Sequence, residues 1–465
     1  MVGRRGPVFS RRSLIGAGVG VGAAVFAGAG FGVAHAAGSS ARRRGHGFLA
    51  AAMDGYPDHG SVRLTQSYSD QAGLFSTAFT YDNALAVLAH LATRTTDGRA
   101  RAVVLGDALL YAQEHDPVYD DGRLRQAYNV GPYTFFDGSL QPDGFVRADG
   151  TANVGTQFGF TGTAVGDMAW AAVALSALAR RTGARRFLDG AVRIGAWIER
   201  IGRTDEPLGG YKFGVNGANE KLPFTSTEHN TDLVCLFGRL ALLTGDRVWR
   251  ERRARAEAFV KKMWEPAGGF FYTGTNDGVT VNKSPIPEDT QTWTHLALGS
   301  RSESHSYSRS YSRALDWAAA ELAVLDHADR RNSTVPAGQT YEGVTFSSAS
   351  LVANEDAPIA EFQPKPDRNG VWFEGTAHLA LALRDRNGRG DEASARRLLT
   401  SIERAQDLLG AGQTVGGRAL PERSGVVSAS SPLDTGFGFG YYPYRHAGAT
   451  AWYLLAATRT NPLQA

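Results

Sequence analysis

The chain has 465 residues, 43% of them hydrophobic and 20% charged, with 49 Lys plus Arg against 46 Asp plus Glu. So near-neutral a balance argues against a nucleic-acid or strongly anionic-polymer binder. The single cysteine, Cys235, excludes an intramolecular disulfide, and the length is enough to bury one large core.

Read in chain order, Arg4, Arg5, Arg11 and Arg12 come first, followed by an apolar, glycine-rich run from Gly16 to Val33 and the small-residue pattern Ala34-His35-Ala36. This is the layout of a removable export signal, so residues 1–36 are expected to be a signal peptide and 37–465 a single domain. Ser10-Arg11-Arg12-Ser13-Leu14-Ile15 resembles a twin-arginine signal. That resemblance implies the twin-arginine export machinery as a partner and a secreted or cell-envelope location. The alternative is an ordinary signal peptide or a short N-terminal anchor. The apolar run is glycine-rich and short for a membrane span, and no later segment is a transmembrane candidate, so no stable anchor is expected after cleavage. A chain that folds before export needs no disulfide, which agrees with Cys235 read as a small buried hydrophobe in Leu233-Val234-Cys235-Leu236-Phe237. Arg42-Arg43-Arg44 reads as a solvated start to the mature chain.

Beyond the leader, six turns bearing an acid or a histidine run directly into small-residue apolar patterns of helical period. They are Tyr81-Asp82-Asn83, Gly166-Asp167-Met168, Thr227-Glu228-His229-Asn230, Glu288-Asp289-Thr290, Phe373-Glu374-Gly375 and Arg445-His446-Ala447. From Asp82 to Asp167, Glu228, Asp289, Glu374 and His446 the steps are 85, 61, 61, 85 and 72 residues. Recurrence on that scale predicts a repeat architecture. Ala84–Ala89, Ala171–Leu175 and Ala449–Ala457 are apolar nearly all round and are predicted to be buried helices. The segments between them carry one apolar stripe: Arg99–Glu114, Arg185–Ile201, Arg247–Trp264, Arg313–Leu325 and Glu392–Leu409. An inner and an outer ring are therefore expected, with Phe48–Met53 as the sixth outer helix. The long connections are rich in Gly, Asp, Asn and aromatics and have room for short β-hairpins. Ser302–Ser312, biased to Ser, Tyr and Arg, reads as an exposed connection.

These starts, with Asp289-Thr290-Gln291-Thr292-Trp293 and Val371-Trp372-Phe373-Glu374, resemble the six-hairpin glycosidases and their relatives over most of the mature chain. The resemblance implies an all-α (α/α)6 toroid, a carbohydrate partner and glycoside hydrolysis, with neither metal nor other cofactor. The same fold also hosts polysaccharide lyases, sugar epimerases and cyclases, so it does not decide the activity.

Glycoside hydrolysis uses one protonated and one ionised carboxyl flanking the scissile bond, and burial or a like charge pushes the two apart. Glu228 and Glu374 are the first candidates for that pair, with Asp82 and Asp289 as helpers or substitutes. The competing account for all four, and for Asp167, is helix capping. Asp137, Asp143 and Asp232 are outsiders that a loop could deliver. Tyr81, Phe136, Trp293, Trp372, Tyr442 and Tyr444 are candidate sugar-stacking platforms, and Asn83, His229, Asn230, His378 and His446 candidate hydroxyl partners. Paired histidines would instead suit an epimerase. Tyr81 with His229 and Asn230 would suit a lyase, although a lyase also needs cations for a uronate, and the loops hold few. A non-catalytic carbohydrate-binding protein of the envelope is the remaining alternative. Glu228, His229 and Asp232 match no metal-ligand spacing, and the lone cysteine rules out a Cys-Cys-His zinc site.

Overall fold

The computed structural model describes residues 27–56, 62–299, 310–361 and 363–464, with side chains from residue 38 onward. The chain divides into two units, Met1–Ser39 and Ser40–Ala465. Of the first, residues 27–39 are helical; the arginine-rich start of the leader and most of Ser302–Ser312 lie outside the described residues. Among the described residues, no helix is long and apolar enough to cross a membrane.

Six inner helices form the second unit's centre: Thr80–Ala92, Val165–Thr182, Thr227–Thr244, Glu288–Thr294 (extended by a π turn, His295–Gly299), Phe373–Arg386 and Ala447–Ala457. Each touches the next, and the last touches the first, so the ring closes. Around it lie residues 40–53, Thr96–Glu114, Arg185–Gly202, Arg247–Lys262, Arg313–Glu321 and Asp391–Leu408. The expected alternation is present: every residue from Ala84 to Ala89 is buried, whereas Arg185–Gly202 buries Phe187, Ile194, Trp197 and Ile198 and exposes Arg193 and Arg200. Residues 40–53 supply the sixth outer helix, where Gly45 packs on Leu454 and the Ala41 carbonyl accepts from Gln406. Cys235 is buried and unoxidised.

Two boundaries differ from expectation. Arg247–Trp264 ends as a helix at Lys262, and Trp264–Glu265 pairs with Phe270–Phe271 in a hairpin. Arg313–Leu325 ends at Glu321, because Ala323–His327 is a strand paired with Thr340–Val344. Asp326 decides this second case: it is fully buried on the strand and accepts from Ser333, Ser430 and Ser431, partners a continued helix would not reach.

Two devices repeat six times and fix how each inner helix begins. Each start is bridged to the segment that leads to, or lies just ahead of, its neighbour: Thr77–Phe79 to Ala127–Asn129, Thr163–Ala164 to Val215 and Gly214, and Thr225–Ser226 to Thr275 and Gly274. The same role falls to the single bridges Pro287 to Ser347 and Trp372 to Ala429, and Tyr68 to His446 closes the circuit. In addition, a first-turn side chain of each helix accepts a backbone N–H from the connecting chain. Asn83 Oδ1 takes Thr65 N at 2.7 Å, Met168 Sδ takes Leu124 N at 3.0 Å and Asn230 Oδ1 takes Tyr211 N at 3.0 Å. Gln291 Oε1 takes Phe271 N at 2.8 Å, Thr376 Oγ1 takes Val344 N at 3.1 Å and Thr450 Oγ1 takes Val426 N at 2.8 Å. Asn230→Leu leaves the Tyr211 N–H and C=O buried without partners, and is expected to cost about 1–3 kcal/mol in a urea melt. A loss below about 0.5 kcal/mol would show that the anchor contributes little.

Candidate active site

The anchored helix starts all point into one space. A cavity of about 550 Å³ opens over the N-termini of the inner ring, and Asp82, Asp167, Glu228, Asp289, Glu374 and His446 all line it. Its walls are aromatic, including Tyr81, Trp170, Trp293, Trp372, Tyr441, Tyr442 and Tyr444, and among the described residues no Lys or Arg lines it.

One side is a fixed hydrogen-bonded group. The Ala449 N–H donates to His446 Nδ1 at 3.2 Å, which leaves the imidazole proton on Nε2, 3.1 Å from both Asp82 oxygens. Tyr68 stacks on the imidazole at 4.1 Å, with the two planes 9° apart. Burial works against a charged His446, but Asp82 and Glu374 outweigh it and raise its pKa. Glu374 Oε2 is 3.5 Å from His446 Nδ1, and its Oε1 accepts from Tyr81 Oη at 2.7 Å; Tyr81 in turn accepts from Trp452 Nε1 at 2.8 Å. Burial, opposed by His446 and reinforced by Asp82, lifts Glu374 to about 7.

The other side is a cluster of acids. Burial and the charge of Asp82 raise Asp167 to about 8. Burial, then Asp289 and Asp167, hold Glu228 well above the carboxylate range. Asp289 rises less, to about 6, because the Thr290 N–H and Oγ1 stabilise its anion against burial. Glu228 is not the cap of its helix: Ser226 Oγ accepts from the His229 N–H, so the carboxyl is left to the cavity. Asp232 is buried one turn below Glu228, and neither of its oxygens has a hydrogen-bond partner.

Of the sequence candidates, Tyr81, His229, Trp293, Trp372, Tyr442, Tyr444 and His446 join the four carboxylates on the wall. Four candidates do not. Asn83 and Asn230 spend their amides as backbone anchors. His378 is fully buried, its Nδ1 3.2 Å from Glu288 Oε2 and its ring 4.3 Å from Trp452. Phe136 stands on a hairpin tip, 86% exposed. Asp137 accepts from Ser139 within that same turn. Tyr68 and Tyr441 are wall residues the sequence did not single out; Tyr68 stands at a single bridge and Tyr441 in the two-residue strand Gly440–Tyr441, too short for any period to show. Glu288 was visible beside Asp289, but only the fold turns it away from the cavity.

No family model and no curated protein matches the chain. Solved structures do. A D-mannose isomerase matches with a TM-score of 0.57 at 13% identity, over 90% of this chain and 95% of that one. The cellobiose 2-epimerase of Bacillus thermoamylovorans B4167 matches at 0.56 and 11%, over 88% and 95%. A family 76 glycoside hydrolase from a bovine Bacteroides thetaiotaomicron strain matches at 0.54 and 12%, over 90% and 77%. The fold is the (α/α)6 toroid. At such identities the toroid's likeness extends to the fold, and the chemistry rests on the side chains of this cavity.

The raised Asp167 has a measurable cost. Its folded-state pKa of about 8 lies above the unfolded value of 3.8, so the folded state holds the proton more tightly. Stability from that proton is complete below the unfolded value and is lost as the pH rises towards 8, by at most about 1.4 kcal/mol per pH unit. Asp167→Asn removes the titration. Its melting temperature is expected to gain on the parent's steadily between pH 5 and pH 8. A pH-independent difference would mean that Asp167 is not protonated in the fold.

Proposed function

We propose that this protein is a glycoside hydrolase acting on a neutral oligo- or polysaccharide, with Glu374 as proton donor. The observation that carries this is a set of carboxyls converging on one aromatic cavity that, among the described residues, no Lys or Arg lines. Glu374, near 7, can hold a proton and release it close to neutral pH, as a general acid must. Glu228, held above the carboxylate range by burial and by Asp289 and Asp167, is the second proton holder. Asp289, stabilised by donors of its own helix start, is an acceptor suited to activating water or attacking carbon, and Asp82 is held as an acceptor by His446. Tryptophan and tyrosine faces suit the apolar side of a pyranose, and the carboxyls suit its hydroxyls. A wall that among the described residues holds no Lys or Arg suits an uncharged sugar, which weighs against a lyase on uronates.

A second reading has its own support. Against burial, Asp82 and Glu374 raise His446, whereas burial lowers His229 to about 3, so the two cavity imidazoles differ in their hold on a proton. That is an acid and a base for moving a proton on carbon, as an isomerase or epimerase requires. The export reading remains part of the proposal, resting on Arg11, Arg12 and the single cysteine.

A panel of neutral glycans digested by the purified protein, with products read by mass, separates these readings. Hydrolysis gains one water per cleavage, isomerisation leaves the mass unchanged and elimination gives an unsaturated product. Glu374→Gln is expected to lower kcat by about 10²–10⁴-fold. Product formation unaffected by this substitution would sink the assignment of the acid.

The pH profile tests the same residue. Activity that needs protonated Glu374 is expected to fall above pH about 7. Tyr81 donates to the Glu374 anion and stabilises it, so Tyr81→Phe is expected to shift that alkaline limb to higher pH. A limb that stays in place, or moves lower, would show that another group controls it.

A further inference from the structure

The structure assigns the aromatic track leading out of the cavity to the distal sugars of a long neutral glycan chain. This rests on the saccharide reading above and extends it to substrate length. The track begins at Phe79 and Phe160, which line the cavity with ring centroids 4.8 Å apart. From Phe160 it passes to Phe158 at 6.0 Å, to Phe75 at 5.7 Å with the planes 17° apart, and to Phe136 at 5.0 Å. Phe158 is 38% exposed and Phe136 is 86% exposed.

Three features set this track apart from ordinary surface phenylalanines. It is continuous with the carboxyl-lined cavity, so a chain whose reacting sugar sits there meets the rings next. Phe75 is the hub, and it holds a left-handed backbone angle, φ 51°, that a bulky side chain rarely adopts. Such strain persists where the surroundings impose it and is concentrated at functional positions. Finally, a polar group stands where the track meets the cavity: Gln126 lines it together with Phe79 and Phe160, whereas Gln157 spends both N–H donors on Thr77 and Asn129. Flat rings beside amides recognise pyranose faces and hydroxyls. A purely apolar partner would have no use for the Gln126 amide.

Affinity gel electrophoresis of the full chain in soluble mannan, xylan, mixed-linkage glucan and starch tests this. At least one polymer is expected to retard the protein. Phe136→Ala and Phe158→Ala should each weaken that retardation roughly three- to ten-fold, and Phe136→Trp should retain it. Both exposed positions can be changed without opening the core. For the same glycan, the gain in kcat/KM from disaccharide to hexasaccharide should shrink in Phe136→Ala. Retardation by no polymer, or equal retardation of parent and alanine variants, would overturn the proposal. So would conversion of a dimer to a monomer by Phe136→Ala in sedimentation, which would give this face to a second copy of the chain. Hydrolysis of short glycans is read separately in the mass panel, so the track can fail while the hydrolase reading stands, and the reverse.

Discussion

The capture of one backbone N–H by a first-turn side chain, repeated around the ring, is the constraint from which the site follows. A helix N-terminus leaves orphan donors, and a chain entering a buried helix brings further polar groups that water cannot reach. Here Asn83, Asn230 and Gln291 satisfy both a donor and an acceptor of the connecting strand, and they also donate to their own helix start. Thr376 and Thr450 achieve the same with one hydroxyl, accepting from the strand and donating back to the carbonyl four residues earlier. Once entry is fixed this way, the acid or histidine close to each anchor has one direction left, inward over the ring axis. The cavity is the set of side chains the anchors leave free.

Converging five acids and a histidine at the positive ends of six helices has two opposing effects. Helix termini favour carboxylate anions, while burial and mutual repulsion favour protons. The outcome is graded rather than uniform. Asp289, with donors from Thr290, rises to about 6; Glu374, between Tyr81 and His446, to about 7; Asp167, without such donors, to about 8; and burial with Asp289 and Asp167 holds Glu228 above the carboxylate range. Hydrogen-bond donors thus set the order in which these sites give up their protons. Such groups titrate as a coupled set, so a substrate that displaces water or adds a hydroxyl donor moves all of them together.

Much of the fold was legible because its signal is redundant. Ala84–Ala89 and Ala449–Ala457 are apolar on every face, and Arg185–Ile201 on one, which separates inner from outer helices without reference to structure. The strand at Ala323–His327 escaped because its alternation is short and its deciding partners, Ser430 and Ser431, lie about a hundred residues away. In the site, residues at helix starts were found because the repeat marks them. The repeat does not say which of two adjacent polar residues turns inward. Asn83 and Asn230 were therefore taken for ligand groups although they are anchors. Tyr68 and Tyr441 carry no such mark because a single bridge and a two-residue strand are too short to show a period.

The same division of labour bears on what the cavity can accept. The anchors are neutral amides, hydroxyls and one thioether, so the N–H groups they hold add no charge to the site. Among the described residues no Lys or Arg on the wall offsets the acids, and Arg445 nearby is turned away to Pro421 and Ser424. Bringing in an anionic substrate would set its charge against carboxyls already competing for protons, at separations where little solvent screens them. A neutral sugar avoids that repulsion and supplies hydroxyl donors to the carboxylates that stay ionised. For the proposed hydrolase, exclusion of anions follows from the cations that the described wall lacks, before any specific contact is made.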